Sequence, residues 1–229
     1  MKPISRAALD WLCRELAPGG SVVRVRPLHG GVSCSVYAVR FESAAGAAFT
    51  VVVRRYREDW PDEPGVCGRE FKLLEMLTQA RYPAPKPLLL DETGAVFGAP
   101  TLVMTLLPGR ALLQPRKIAA YIEQLAGALA LLHGLSADGL EFLPLQGKRA
   151  QGVLERGAAG YDPLLMRVWD AIRSMWPAID HQRRLIHADY WPGNTIWYRE
   201  RLVGVIDWEL AALGSPARDV ATCRCDLNN

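Results

Sequence analysis

Apolar residues recur at Ile4, Ala8, Trp11, Leu12 and Leu16, steps of about three and four that predict an amphipathic helix over residues 5–17. Pro18-Gly19-Gly20 ends it. The period then shortens. SVVRVRPL (21–28), CSVYAVRF (34–41) and FTVVVRRY (49–56) are short, rich in Val and aromatic residues and separated by Gly- or Ala-rich turns, so each predicts a strand. A helix is expected at about 66–80, where Phe71, Leu73, Leu74 and Leu77 are apolar. Strands near 87–90 and 101–106 flank the turn DETG.

Beyond Leu107-Pro108-Gly109 the helical period returns. Ile118, Ile122, Leu125, Leu129 and Leu132 step by three and four, and Gly134 follows as a stop. A further helix is expected over 161–177. Two short apolar segments, NTIWY (194–198) and LVGVID (202–207), are joined by the turn RER and predict a hairpin. Ser215-Pro216 reads as the cap and first position of another helix, and the end at Asn229, barely into it, reads as premature. The expectation is an α+β chain: a β-rich part at 1–107, then a helical part at 108–229 that carries the hairpin.

Composition narrows the function classes. The 229 residues are 50% hydrophobic and 22% charged, ordinary for a soluble globular chain. A net charge of +3, with scattered basic residues, does not suggest a nucleic-acid or membrane-surface partner. No apolar run approaches the ~20 residues of a membrane span. Asp10, Arg14 and Glu15 interrupt the place of a signal-peptide core. Five cysteines without a CxxC pair fit reduced thiols in a cytoplasm.

The loop between the last apolar segments reads LIHADYWPGNTIW (185–197). His187, Asp189 and Asn194 fit H-x-D-x-x-x-x-N, the spacing of a kinase catalytic loop. Phosphoryl transfer through a loose transition state asks the protein mainly to position groups and neutralise charge. Asp189 is the candidate base for the proton of an attacking hydroxyl. Asn194 and Asp207, at the end of LVGVID, are candidate oxygen ligands for Mg²⁺.

HADYWPGN together with VIDWELAALGSPARDVA resembles the aminoglycoside phosphotransferase/choline kinase superfamily of small-molecule kinases. That resemblance implies a protein-kinase-like fold with a β-rich lobe and a mainly helical lobe, ATP bound between them, Mg²⁺, and a small-molecule hydroxyl acceptor. Residue by residue, it implies that the HGGVS turn, with Gly30, Gly31 and Ser33, covers the ATP phosphates. The family's third strand carries a Lys that contacts phosphates and pairs with a Glu on the next helix. Here the strand reads VVVRRY, so Arg54, or Arg55 on the opposite face, stands in that place. Some branches of the superfamily carry Arg there. Glu70 is the expected partner, because it shares the inward helix face of Leu73 and Leu74. The resemblance also implies that Met104 lines the adenine pocket beside a hinge at 102–107, and that Asp219 buttresses the catalytic loop. His187 organises that loop; His133 caps or packs; Glu209 is either near the metals or solvated.

A pseudokinase or nucleotide-binding scaffold is the alternative that the missing Lys motivates. A protein Ser/Thr kinase is disfavoured, since no APE-like segment follows Asp207. The acceptor stays open, although the near balance of acids and bases over 136–185 argues mildly against a polycationic aminoglycoside. Oligomeric state is not readable.

Overall fold

Alternation along one strand sets the frame of the first unit. In the computed structural model, residues 3–28, 34–57, 65–146, 162–175 and 183–227 are described. The chain divides into two compact units, Met1–Gln114 with Thr195–Glu209 and Pro115–Asn194 with Leu210–Asn229. In the first, β1 (Ser21–Leu28), β2 (Cys34–Glu42), β3 (Ala48–Tyr56), β4 (Pro87–Asp91) and β5 (Thr101–Thr105) form a sheet in the order β1-β2-β3-β5-β4. All its pairings are antiparallel, with β3 in the centre.

Val51 and Val53 of β3 turn to one side of the sheet and join Val39, Phe41 and Val103 in a core closed by Ala8 and Leu12 from α1 (Arg6–Leu16) and by Ile4 just before it. The Ser5 hydroxyl caps that helix by accepting the Ala8 N–H at 3.2 Å. By the two-residue period, Val52 and Arg54 turn to the opposite side, where the register sets them across from Met104 and Leu102. The second helix, α2 (Val66–Gln79), packs on β4 and β5 and buries Leu73, Leu74 and Leu77 together with Glu70.

The hairpin of β7 (Thr195–Tyr198) and β8 (Arg201–Val205) belongs to this strand-rich unit, whereas the boundary read from sequence grouped it with the helical part. Its ties are to residues distant in the chain. Arg110 and Trp197 exchange both main-chain hydrogen bonds, at 3.1 and 2.8 Å, and the Val205 N–H donates to the Pro83 carbonyl at 2.9 Å. Gly109, at φ +117°, lets the chain pass so close to Trp197 that a Cβ there would sit 2.1 Å from its carbonyl oxygen.

In the second unit, α3 (Ile118–His133) buries Tyr121, Leu125, Leu129 and Leu132. The helix expected at 161–177 is α4 (Pro163–Met175), with 161, 176 and 177 outside the described residues. Two strands of three residues, β6 (Arg184–Ile186) and β9 (Ala212–Gly214), pair antiparallel and were not anticipated. Three residues are too few for alternation to register as a signal. The last helix, α5, spans Ala217–Leu227, so it begins one residue after the expected start at Pro216 and runs a full three turns.

Candidate active site

Arg54 is the centre of the first unit's polar cluster. Strand alternation turns it away from the α1 core, and it is buried. Its Nη1 donates to Glu70 Oε1 at 3.0 Å and its Nη2 to Glu209 Oε2 at 2.6 Å. The same Nη2 donates to Asp207 Oδ1, and Nε donates to the Cys34 sulfur at 3.2 Å. Glu70 receives two further donors: the Tyr56 hydroxyl on Oε2, and the Trp208 main-chain N–H on Oε1 at 3.3 Å. This last bond ties the 207–209 segment to α2.

Burial and charge work against each other here. Burial pushes the Glu70 carboxyl up from its ordinary range, and the nearby Asp207 charge adds to this, while the Arg54 guanidinium pulls it down. Burial disfavours the charge on Arg54, yet the Glu70 and Asp207 carboxylates hold that group well above the usual arginine value, so it stays a cation. Tyr56 is raised by burial and by Glu70, so it remains a neutral donor.

The second unit holds the catalytic-loop sequence. Ala188 adopts a left-handed backbone at φ +66° that is costly for any residue with a Cβ. The buried Asp219 carboxylate accepts the His187 N–H at 2.9 Å and the Ala188 N–H at 2.7 Å, which offsets that cost. His133 Nε2 lies 2.9 Å from the same carboxylate, making it the protonated ring nitrogen. His187 Nδ1 accepts the Asp189 N–H at 3.3 Å, so this fully buried ring shapes the loop from inside. Asp189 is half-buried, and its Oδ2 accepts from Asn194 Nδ2 at 2.8 Å. The same nitrogen donates to the Asp189 carbonyl at 2.9 Å.

With both amide protons spent on Asp189, Asn194 turns its carbonyl oxygen the other way, the hard donor a Mg²⁺ prefers. Asp207, in a left-handed backbone at φ +71° just past β8, keeps its side chain a third exposed while one oxygen meets Arg54. Among the described residues no group of three or more His, Cys, Asp or Glu could hold a metal ion. Each of these oxygens, of Asn194 and of Asp207, is by itself the hard kind of donor that Mg²⁺ takes.

Within the first unit the structure brings together Arg54, Glu70 and Asp207, and it pairs Arg54, not Arg55, with Glu70. Met104 is buried on Arg54's face of the sheet. Within the second unit it joins His187, Asp189, Asn194 and Asp219. Gly30, Gly31 and Ser33 lie outside the described residues. Sequence reading passed over Tyr56 and Cys34 and left Glu209 and His133 undecided. Tyr56 had a signal, since it lies two residues after Arg54 on the same strand face; Cys34 and Glu209 reach Arg54 only through the folded chain.

Residues 24–227 match the family described as the phosphotransferase enzyme family. The chain is 29% identical over 174 residues to Homo sapiens acyl-CoA dehydrogenase family member 11, covering 67% of this chain and 22% of that protein. It is 27% identical over 219 residues to Brucella canis homoserine kinase, covering 89% of this chain and 63% of the kinase. It therefore spans less than two thirds of the length of either relative. Among solved structures, macrolide 2′-phosphotransferase MphH from Brachybacterium faecium superposes with a TM-score of 0.67 at 23% identity, over 98% of this chain and 80% of that one. The streptomycin–ATP ternary complex of APH(2″)-IIa does so with 0.65 at 17%, over 96% and 75%. The fold is the α+β, protein-kinase-like one of these phosphotransferases.

Proposed function

This chain belongs to the phosphotransferase enzyme family, and from that premise we propose that it moves the γ-phosphoryl group of ATP, with Mg²⁺, to a hydroxyl group of a small molecule. The observation that carries the reading is Asp189, fixed through one carboxylate oxygen by Asn194. Asp189 accepts the proton as the acceptor oxygen bonds to phosphorus and the bond to the β-phosphate oxygen breaks, releasing ADP. Arg54, oriented by Glu70, neutralises phosphate charge, and the Gly30-Gly31 turn with Ser33 covers the phosphates. Met104 lines the adenine pocket. Asn194 and Asp207 would hold Mg²⁺, which when bound neutralises the charge of the phosphate oxygens. His187 and Asp219 keep the loop in shape.

The test is calorimetric binding of Mg·ATP, then ADP release with a panel of small alcohols that includes homoserine, choline and an aminoglycoside. The expected result is Mg²⁺-dependent binding, and ADP release with at least one acceptor that Asp189→Asn abolishes. A folded chain that binds no Mg·ATP overturns the proposal. Tight binding without turnover by any acceptor would shift the reading to a nucleotide-binding scaffold.

A further inference from the structure

The guanidinium of Arg54 is held at both ends. Glu70 grips Nη1 at 3.0 Å, and Glu209 grips Nη2 at 2.6 Å from a position 155 residues further along the chain. The Cys34 thiol engages the third nitrogen, accepting from Arg54 Nε at 3.2 Å and donating to Glu209 Oε2 at 3.8 Å. The Glu209 side chain is only 9% exposed, so it is not a solvated surface acid. Counting Asp207, four of the five guanidinium N–H groups are engaged. The fifth, on Nη1, has no partner among the described residues.

We propose that Glu209 is a positioning residue for the phosphotransfer, locking the plane of the Arg54 guanidinium so that its remaining Nη1 N–H is presented to a nucleotide phosphate. This rests on the reading of Arg54 as the phosphate-facing cation. The physical reason lies in the shape of the cation. An ammonium is a compact charge whose three N–H groups turn freely, and one carboxylate suffices to place it. A guanidinium is a rigid plate. Held only by Glu70 at Nη1 and by Asp207, whose carboxylate the proposed function shares with Mg²⁺, it swings, and the free N–H sweeps with it. A second carboxylate at Nη2, with the thiol at Nε, removes the swing. An Arg in the strand position therefore requires an anchor that a Lys does not, and Glu209 is that anchor.

A carboxylate acting instead through the metal would be indifferent to whether residue 54 is Arg or Lys. The experiment exploits that difference. Wild type, Glu209→Gln, Arg54→Lys and the double variant are compared for Mg·ADP binding by calorimetry and for thermal stability. With Arg at 54, Glu209→Gln is expected to weaken Mg·ADP binding by roughly tenfold, the size of one lost charge-assisted hydrogen bond. With Lys at 54 the same change is expected to cost less than about twofold, a coupling that only direct contact produces. Glu209→Asp, which keeps the charge but withdraws it by one methylene, should show the same dependence on residue 54 at smaller size, and it replaces the Gln variant should that one not fold. Equal losses with Arg and with Lys, or no loss with either, overturn the role of Glu209 while leaving the phosphotransferase reading intact. No binding by wild type overturns that reading and this inference with it.

Discussion

The Ala188 main-chain N–H donates to Asp219 Oδ1 at 2.7 Å, and Ala188 sits at φ +66°. The left-handed turn that aims Asp189 is thus held from 31 residues away by one buried carboxylate. Asp219→Ala strips the acceptor from two main-chain donors and from His133 together. The expected loss is roughly 3 kcal/mol or more, since each buried donor left unpaired costs ~1–3 kcal/mol. Urea denaturation measures it. Loss of less than about 1 kcal/mol would mean that water or a rearranged loop replaces the carboxylate.

Asp189→Asn leaves the neighbourhood almost unchanged in shape, because residue 189 is half-buried and its main-chain N–H still meets His187 Nδ1. Turnover with a productive acceptor should fall by roughly 10²–10⁴, the usual worth of a general base. Stability should stay within about 0.5 kcal/mol, and Mg·ATP should still bind. Retained turnover would remove Asp189 from the reaction.

Glu70 supplies a pH prediction with a definite sign. Burial raises its folded pKa above the unfolded value, so the folded state binds this proton more tightly. Its contribution to stability is therefore full below the unfolded pKa and is lost as pH rises through the folded one. A Gln at 70 does not titrate. The melting temperature of Glu70→Gln minus that of wild type should rise with pH across the mildly acidic range above the ordinary carboxylate pKa. A flat or falling difference would show that the Arg54 charge outweighs burial.

Gly109 tests the tie between the 107–110 segment and the hairpin. A Cβ there meets the Trp197 carbonyl oxygen at 2.1 Å with the backbone at φ +117°, whereas at Gly46, φ +77°, nothing lies within 4 Å. Gly46→Ala should cost about 1–2 kcal/mol, the backbone term alone. Gly109→Ala should cost clearly more, read as a lower melting temperature.

The cysteines should separate by burial. Burial pushes the Cys223 thiol up to about 11 and holds Cys67 higher still, while Cys225, two residues from Cys223, is exposed. Iodoacetamide at pH 8 should label Cys225 first and leave Cys67 and Cys223 unmodified in the native protein. Mass spectrometry of the digest reads the order.

Elements whose partners are close in sequence were legible before folding. The expected bounds of β1 match those observed, and β2, β3, α2 and α3 fall within a residue or two of the expected ranges. Glu70 was found the same way, as an acid on an apolar helix face. β6 and β9 escaped because each has three residues and exists only through the other. The hairpin's place in the strand-rich unit escaped because Arg110 pairs with Trp197 across 87 residues of chain.

Local periodicity and the spacing of polar residues therefore determined the α+β class, the loop motif of His187, Asp189 and Asn194, and a buried acid in need of a cation. These depend on neighbours within a few bonds, strand turns or helix turns, which the order of residues specifies directly. Only the tertiary structure decided that Arg54 rather than Arg55 meets Glu70, that Glu209 and Cys34 complete its grip, and that one carboxylate serves His133, His187 and Ala188. Those contacts join residues 16 to 155 positions apart. A hydrogen bond requires its atoms within about 3 Å, and at such separations the path of the folded chain, not sequence spacing, brings them there.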